Sequence, residues 1–512
     1  MVNRLVLGIP AIWNVIWGWV TFQGPTSRKP DIKQILKERK HQNIPILSDY
    51  SIKPKEEFWD NFPKMEIPTK VSTGMNVHAL AALIEDRKMF LNRAEYGRGL
   101  RTVAFLSEGA PSHQKTSLPA VFCRNSKTAY EYGAQLTDTV VEWVQKGFVA
   151  GPFSNPPLPA FRVNPLLVIA QKGKIRPVLD VSSPAGRSFN DNIQKSSMEK
   201  VFMSSPQKFS YSVLEAGKNS LMTKFDMKDA YKNVPCALSD LRLQGFEWCG
   251  KYFAETAQIF GAVSAVPNYD TMGNTVSSLA KCVSSIPKSL VHRQIDDVPL
   301  VAPAATNWCQ EFTVNYREVC KIANVQLAED CPKQDKAFSN STHGKVLGIE
   351  FKTENLSWKL PEDKRVEYSN LIHDALAAGE LGLEACQKLT GKLNFVCSMA
   401  PWARTFLRPL QLFQSCLEES AMHSNILPDE AKKDLLFWWK FLSSQSDIDI
   451  PIAHPTGAPP LQYKTFTTDA AGWKVDGSSL EVGLGCVGLD EEGEIFFANQ
   501  ELWNTDSVLS FF

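Results

Sequence analysis

The sequence predicts a mixed α+β fold divided into several domains. The chain has 512 residues, enough for about three domains on length alone, and 44% of them are apolar, a share typical of globular proteins. From residue 138 an amphipathic helical pattern ends near Gly147, and a turn is predicted at Gly151-Pro152. Two β-rich runs then flank residues 171–173, which predicts a β-hairpin. Helices and hairpins in one chain together indicate the α+β class.

Charge and cysteine content restrict the class of protein. Lys and Arg together number 55, as do Asp and Glu, so the net charge gives no sign of a nucleic-acid partner and only the local distribution can. The eleven cysteines are odd in number and form no CxxC pair. This favours reduced thiols over disulfides or a zinc site, and therefore an intracellular protein, cytoplasmic or nuclear.

Residues 1–110 form an N-terminal region of unknown fold. Residues 5–22 are the one stretch apolar enough to suggest a membrane span, but Pro10, Asn14 and several Trp residues interrupt it. The stretch also lacks the small-residue cleavage site of a signal peptide. We expect a misassigned start or a short packed helix and no membrane partner; a membrane-tethered protein is the alternative. Residues 27–40 are basic and polar, as in a solvated linker or helix.

Two adjacent acids, Asp296 and Asp297, lie between two short apolar runs within residues 290–303. The pattern predicts a β-hairpin with both acids at or near its tip. Two ionised carboxylates side by side repel each other unless a cation neutralises them, and hard oxygen donors suit Mg²⁺. The alternative is an ordinary turn, in which Asp is common for backbone reasons. A metal site needs a third acid.

Asp226 is the candidate for that third acid. It interrupts an apolar, strand-like segment beside Phe225, within residues 221–235. An acid in such a segment is unusual unless it meets a partner or a metal. The alternative is a strand end that faces water.

A run of one charge sign covers the predicted hairpin and the segment before it. Every charged residue between Glu142 and Asp180 is basic: Lys146, Arg162, Lys172, Lys174 and Arg176. Such a run can hold phosphate groups by electrostatic attraction. The alternative is a solvated edge strand, since lysines also protect exposed strand edges.

An ordered set of short motifs connects these stretches. In chain order they read RPVLDVSSPAGRSFN, FDMKDAY, LQGFEWCGKYF, QIDDVPLVAP, LPEDK and LTGKLNFVC...ARTFLRPL. From residue 138 to the end, the chain resembles the reverse transcriptases of DIRS-like retrotransposons, the group that integrates with a tyrosine recombinase. The resemblance implies a right-hand polymerase with fingers and palm at residues 111–353 and a helical thumb or connection at residues 354–450. A Pro-rich linker at residues 451–460 and a truncated RNase H-like domain at residues 461–512 would follow.

The resemblance implies an RNA-directed DNA polymerase that extends a primer with dNTPs. Asp226, Asp296 and Asp297 would hold two Mg²⁺ ions, with Mn²⁺ as the alternative ion. The backbone carbonyl of Met227 would assist them. The implied partners are an RNA or DNA template–primer, dNTPs and a retroelement recombinase. The alternative is a decayed or domesticated retroelement protein that binds nucleic acid without catalysis.

Further residues match the nucleotide-binding motifs of the family. Arg176 and a nearby Lys would grip the triphosphate; Lys172 and Lys174 are both candidates, and their spacing does not choose between them. Tyr231 matches the aromatic residue that lies under the sugar and excludes a 2′-hydroxyl, although a core aromatic is the alternative. Gly261, in a turn before a helix, would let the backbone approach the nucleotide closely.

The predicted thumb carries a second run of one charge sign. Between residues 385 and 417 the only charged side chains are Lys388, Lys392, Arg404 and Arg408. A helix face of this kind can bind a duplex through its backbone phosphates; a helical bundle whose cations face water is the alternative. Before this run the sequence resembles the primer-grip hairpin, with Leu347-Gly348 in the turn segment and Trp358 on the return strand.

Three β-like segments near the C-terminus, with turns at Asp476-Gly477 and Glu492-Gly493, resemble the opening strands of RNase H. Asp469 would be its first metal carboxylate, and Glu501 is the nearest substitute for the second acid. Two-metal hydrolysis needs several converging carboxylates, so RNase H activity is not expected of this chain.

Three positions depart from the family's pattern. Gln294 stands where most reverse transcriptases have Tyr, and Phe260 stands in motif B where retroviral relatives often have Gln. The Lys often proposed as general acid in motif D has no clean match: Cys331 falls near its place, and Lys333 or Lys336 would substitute. None of these departures removes a metal carboxylate.

Overall fold

The computed structural model describes residues 59, 62, 64–171, 174–328, 337–418, 425–444 and 449–452, and the backbone of three strands beyond residue 464. Outside the described residues lie the N-terminal apolar and basic stretches, Lys172, the motif D candidates, most of the predicted linker and both predicted turns of the C-terminal strands. Among the residues that are described, no helix is both long and apolar enough to cross a membrane.

Most helices are amphipathic and bury one face. In chain order the helices are α1 (Val77–Asp86), α2 (Arg93–Glu108), α3 (Lys127–Glu131), α4 (Gly133–Gln145), α5 (Pro206–Ala216), α6 (Ala265–Lys281), α7 (Trp308–Ile322), α8 (Glu362–Ala378), α9 (Leu383–Val396), α10 (Arg408–Glu418) and α11 (Asp429–Ser444). Short 3-10 helices span Lys88–Phe90, Lys195–Ser197, Ala230–Asn233, Leu238–Leu243, Lys288–Leu290 and Pro401–Leu407. A capping box starts α2, because Asn92 and Glu95 each accept a bond from the other's backbone N–H.

The strands form several separate sheets. The first strands are β1 (Val121–Phe122), β2 (Val149–Phe153), β3 (Arg162–Val163), β4 (Leu166–Gln171), β5 (Lys174–Leu179), β6 (Leu221–Asp226), β7 (Gly245–Trp248), β8 (Lys251–Glu255) and β9 (Asp297–Ala302). They are followed by β10 (Phe338–Ser341), β11 (His343–Val346), β12 (Ile349–Lys352), β13 (Ser357–Lys359), β14 (Ile450–Pro451), β15 (Thr465–Val475), β16 (Ser479–Leu489) and β17 (Ile495–Trp503). Within the described chain, neighbours in the sheets run β1-β3-β7-β8-β2, β4-β5, β10-β6-β9, β11-β12-β13-β14 and β15-β16-β17.

The central sheet, β10-β6-β9, positions the acids that were predicted to bind metal. β6 and β9 pair antiparallel, in a register that runs from Leu221 opposite Ala302 to Asp226 opposite Asp297. Both strands are buried along most of their length, because helices α5 and α7 pack on the sheet. The ring centroid of Phe225 lies 4.6 Å from that of Tyr316 on α7. The two acids therefore stand together at one edge of an apolar sheet.

Local patterns predicted several elements correctly. The hairpin expected around residues 171–173 is β4-β5, with Gln171 opposite Lys174. The helix expected from residue 138 is α4, and Gly147 has a positive φ of 74° just beyond its end. A positive φ is easiest for glycine, so the helix stops where the sequence indicated.

The turn predicted at Gly151-Pro152 was wrong. Both residues lie within β2, the edge strand that pairs with β8, where the register shifts between Ala150 and Phe153. Pro lacks a backbone N–H, and an irregular edge strand tolerates the missing donor. A Gly-Pro pair therefore interrupts the ladder here without reversing the chain.

The hairpin predicted around Leu347-Gly348 is formed by β11 and β12. Its two turn residues have φ values of 49° and 80°, as a tight two-residue turn requires. Trp358 lies on β13, opposite Phe351 of β12. Helices α8 to α11 occupy most of residues 354–450, and β13 pairs with β14 at the end of that region.

Helices α1 and α2, which precede the predicted domain boundary at residue 110, share the core of the central sheet. Leu80, Ile84 and Leu106 are at most 2% exposed and belong to the same apolar cluster as Phe225 and the strands β6 and β9. On α2, the Thr102 hydroxyl lies 2.8 Å from that of Thr275 on α6. The boundary itself stays a prediction, but the helices before it are part of this core.

Candidate active site

Strand register brings the three predicted carboxylates to one place. Asp226 is the last residue of β6 and Asp297 the first of β9, and the two are directly opposite each other. Opposed residues of an antiparallel pair have Cα atoms about 4.5–5.5 Å apart. Asp296 occupies the preceding turn, where its carbonyl accepts a hydrogen bond from the backbone N–H of Met227 at 3.2 Å. Acids 70 residues apart in the chain thus become neighbours.

A two-residue turn, formed by Ile295 and Asp296 and called the acid turn below, lies at the tip of the predicted hairpin. The backbone N–H of Gln294 donates to the carbonyl of Asp297 at 2.8 Å, and the N–H of Asp297 returns a bond to Gln294 at 3.0 Å. Ile295, the first residue of the turn, has a φ of 55°, a conformation that a β-branched residue adopts only at a cost. Neighbouring contacts must therefore hold the turn in this shape.

The environment of Asp297 opposes its negative charge. Burial raises the pKa of this carboxyl to about 6, because water is excluded from the strand end. The ammonium of Lys224, 3.9 Å away and itself only 4% exposed, acts in the opposite sense, whereas Asp296 and Asp226 raise the pKa further. The three acids therefore interact electrostatically, and a nearby cation would relieve their repulsion.

The donor set suits a divalent cation, although its side chains are not already arranged around one. Three carboxylates and a backbone carbonyl are the hard oxygen ligands that Mg²⁺ and Mn²⁺ prefer. In the described part of the chain, no three His, Cys, Asp or Glu side chains are close enough to form a ready metal site. The three acids have the chemistry that such an ion needs, and the strand register sets Asp226 opposite Asp297 with Asp296 in the adjoining turn. Met227, the fourth predicted ligand, is buried directly after Asp226.

Tyr231 lies between the acids and the turn before α6. Its ring contacts Phe260 edge-on at a centroid distance of 6.0 Å and Tyr269 at 5.5 Å. Burial raises the pKa of the Tyr231 hydroxyl, and the charge of Asp296 adds to that effect. The predicted sugar-contacting aromatic is therefore half-buried next to the acid turn, while Phe260 remains 54% exposed.

Gly261 forms the turn that leads into α6, as predicted. Its φ of 102° is a conformation that side chains strongly disfavour. Asn190, which the sequence patterns did not single out, stabilises this turn through two hydrogen bonds. Its side-chain amide donates to the carbonyl of Gly261 at 3.0 Å, and its side-chain oxygen accepts from the backbone N–H of Val263 at 2.9 Å. Asn190 ends the first of the motif strings, and that was its only signal in the sequence.

The β4-β5 hairpin adjoins the same turn. A Cβ placed on Gly261 would lie 3.7 Å from the Val178 side chain of β5. Arg176, two residues before Val178, is exposed, and residues two apart on a strand share a face. Arg176 therefore lies on the face of the hairpin nearest the turn. Lys174 begins β5, and its side chain is outside the description.

Comparisons with known proteins add to this geometry. No family model matches the sequence, and no curated protein matches it. A foamy viral protease-reverse transcriptase in complex with an RNA/DNA hybrid superimposes with a TM-score of 0.50 at 12% identity, covering 87% of this chain and 54% of that one. The chain has the fold of a reverse transcriptase. Two further foamy viral protease-reverse transcriptase structures are in complex with double-stranded DNA, and each alignment covers 86% of this chain. One has a TM-score of 0.47 at 11% identity, with 70% of its own chain aligned. The other has a TM-score of 0.46 at 12% identity, with 83% of its own chain aligned.

Within this reverse-transcriptase fold, the four predicted duplex-binding cations differ in their surroundings. Lys388 on α9, Arg404 in the 3-10 helix and Arg408 at the start of α10 are exposed. Lys392 is paired with Glu367 of α8 at 2.9 Å and lies over the ring of Tyr368. The face is therefore not of one charge sign, because a neighbouring helix supplies an acid that the sequence window did not include.

The C-terminal strands β15, β16 and β17 form the predicted antiparallel meander, described through their backbone. Asp469 on β15 is opposite Gly485 of β16, which is opposite Gln500 of β17. Glu501 is opposite Leu484 instead and is one residue out of register with Asp469. The strand pairing therefore gives no support to Glu501 as the second acid. The similarity of the chain to reverse-transcriptase structures does not show that these strands belong to an RNase H domain.

Proposed function

We propose that the protein is an RNA-directed DNA polymerase that extends a primer with dNTPs by two-metal phosphoryl transfer. The observation that carries the proposal is the register of β6 and β9, which sets Asp226 opposite Asp297, with Asp296 in the adjoining turn. Acids at the edge of a buried apolar sheet are costly without a cation, so they favour a catalytic role over a structural one. The reverse-transcriptase fold supports the same conclusion.

The proposed chemistry assigns each residue group a task. When bound, two Mg²⁺ or Mn²⁺ ions supply the charge neutralisation that phosphoryl transfer needs. The carboxylates of Asp226, Asp296 and Asp297, with the carbonyl of Met227, would hold these ions in place. The remaining residues position the nucleotide: Arg176 with Lys172 or Lys174 binds the triphosphate, Tyr231 excludes a 2′-hydroxyl, and Gly261 lets the backbone approach.

The proposed domain assignment follows the family. Residues 111–353 are the fingers and palm, residues 354–450 the helical thumb or connection, residues 451–460 a linker, and residues 461–512 an RNase H-like segment in which Asp469 matches the first metal carboxylate. The exposed cations of α9, α10 and the 3-10 helix between them support a duplex contact in the thumb. The motif strings support a DIRS-like retrotransposon origin and a retroelement recombinase as a partner.

Primer extension on a homopolymer RNA template and on the matching DNA template tests the proposal. We expect dNTP incorporation by the wild type with Mg²⁺ on the RNA template, and none by Asp296→Asn. Equal incorporation by both proteins would reject the assignment of the acids. Duplex binding without incorporation by either would instead support the second candidate, a retroelement protein that only binds nucleic acid.

A further inference from the structure

A buried arginine lies directly behind the acid turn. The Arg293 side chain is only 7% exposed and forms an ion pair with Asp270 of α6. Its Nε donates to the amide oxygen of Asn274 at 3.0 Å, and its Nη1 donates to the carbonyl of Ile295 at 2.7 Å. The guanidinium thus bridges two residues of a helix and the first residue of the turn that carries Asp296.

The helix side of this bridge is organised as a closed network. Asp270 and Asn274 are four residues apart and therefore neighbours on one face of α6. The Asn274 amide donates to the Asp270 carboxylate at 2.8 Å, so each contacts both the other and Arg293. Buried charges of this kind are retained only when they are paired and hydrogen-bonded.

Gly273 makes room for the guanidinium. It lies within α6, where glycine is an unfavourable residue, and its backbone needs no positive φ. A Cβ built at this position would lie 2.6 Å from Nη1 of Arg293, closer than such atoms can approach. The absence of a side chain at residue 273 is thus matched to the position of Arg293.

The turn has a reason to need this support. Ile295 holds a φ of 55°, in the region that β-branched residues avoid. The bond from Arg293 fixes the carbonyl of that residue, immediately before Asp296. Backbone strain persists only where surrounding contacts over-determine it, and this contact is one of them.

We propose that Arg293 is a positioning residue which, through Asp270, Asn274 and the space left by Gly273, fixes the turn of the acid pair against helix α6. This inference rests on the proposed function of the acids. It adds that α6, whose leading turn contains Gly261, and the turn of Asp296 move as one unit. Gly261, which is proposed to contact the nucleotide, and Asp296, which is proposed to hold the metal, are thereby kept at a fixed distance from each other.

Gly273→Ala tests the inference without removing any charge, because the added methyl group displaces the guanidinium. The matched control is Gly97→Ala, another glycine inside a helix, where a Cβ meets no atom within 4 Å. Hydrogen exchange is measured at the amides of Gln294 and Asp297 without metal or nucleic acid. We expect exchange to be about tenfold faster or more in Gly273→Ala, with little change in α7, and wild-type exchange in the control.

Kinetics supply the second readout. We expect kcat for nucleotide incorporation to fall by up to about a hundredfold in Gly273→Ala, with a smaller change in KM for the dNTP and a higher Mg²⁺ requirement. If that variant does not fold, the double variant Arg293→Met/Asp270→Leu replaces both buried charges by apolar groups of similar size and is expected to give the same two results.

Wild-type exchange at the turn together with wild-type kcat in a folded variant would overturn the inference. Equal acceleration of exchange in the turn and in α7 would also overturn it, since that result indicates general destabilisation. If the wild type incorporates no nucleotide, the proposed function fails, whereas the exchange measurement still decides whether Arg293 holds the turn.

Discussion

Asp297 is held where its own charge is costly. The carboxyl is 27% exposed, faces Asp226 across the ladder and follows Asp296 in the chain, and one ammonium, that of Lys224, lies 3.9 Å away. Burial and the two acids keep its pKa near 6, so a proton would compete at this carboxyl with a cation bound at the proposed metal site. This property follows from the fold, because a residue at the tip of an isolated hairpin would titrate as an ordinary Asp.

The first prediction concerns the competition between protons and metal at Asp297. A cation binds the deprotonated carboxylate, so apparent Mg²⁺ affinity should fall as the pH drops through about 6. For that pKa the decrease between pH 7 and pH 5 is about tenfold, whereas an Asp of ordinary pKa would show almost none. Calorimetric titration of Mg²⁺ at pH 5, 6 and 7 measures it, and equal affinities across this range would contradict the account.

Tyr231 carries the second prediction at this scale. Its ring contacts Phe260 and Tyr269 next to the acid turn, and in the proposed polymerase site this ring excludes the 2′-hydroxyl of the sugar. Tyr231→Ala should raise the use of rNTPs relative to dNTPs by about 10- to 100-fold in kcat/KM. Tyr231→Phe keeps the ring and should keep the discrimination. Loss of discrimination in the Phe variant would show that the hydroxyl, and not the ring, is the excluding group.

At the scale of elements, the sequence predicted features that have a local pattern and missed features that depend on partners distant in the chain. The β4-β5 hairpin, the acid turn and the glycine before α6 each have a local sequence pattern, and the sequence predicted each. Asn190 was missed because its partners, Gly261 and Val263, lie more than 70 residues away. The strand β2 was misread as a turn because its partner β8 is even more distant in sequence.

The prediction for the thumb cations was incomplete for the same reason, because one partner lies outside the sequence window that was considered. A window on residues 385–417 contained only positive charges, but the neighbouring helix α8 contributes Glu367 beside Lys392. Whether a charge is available to a ligand depends on helix packing, which a linear pattern does not contain. The prediction that Asp226 lies beside Asp296 and Asp297, by contrast, needed only the motifs and their order along the chain.

Salt dependence of duplex binding tests this difference between the cations. Removal of one side chain that binds a DNA phosphate should reduce the slope of log K against log salt by about 0.9. We expect this reduction for Lys388→Ala, Arg404→Ala and Arg408→Ala, and a smaller one for Lys392→Ala, whose ammonium is paired with Glu367. Lys127→Ala, which removes an exposed cation of α3, is the control. A reduction at Lys392 equal to that at Lys388 would contradict this assignment.

At the scale of the whole molecule, one apolar cluster joins elements from α1 to α11. It contains Leu80 and Leu106 from the first two helices, the strands β6 and β9, and Trp438 and Leu442 from α11. The acid turn is therefore anchored in a core to which distant segments contribute. The sequence left residues 1–110 as a region of unknown fold, because a linear pattern does not contain packing.

Truncation tests the contribution of the first helices. Removal of residues 1–110 deletes Leu80, Ile84 and Leu106, all at most 2% exposed, and removing each such side chain costs about 2–5 kcal/mol. Together these costs approach the whole stability of a typical domain, so the truncated chain should not unfold cooperatively. A chain that starts at residue 59 retains all of the described residues and is the control. Cooperative thermal unfolding of both chains would show that α1 and α2 are dispensable.

Single-turnover incorporation of one dNTP into a pre-bound primer–template tests the central claim most directly. The wild type is compared with Asp226→Asn, Asp296→Asn and Asp297→Asn, and with Asp138→Asn, an exposed acid on α4, as the control. We predict unchanged duplex affinity throughout, a wild-type rate for the control, and a decrease of at least about a hundredfold, or about 2.7 kcal/mol, for each of the three variants. A wild-type rate in any of the three would contradict the shared metal site at the edge of β6 and β9.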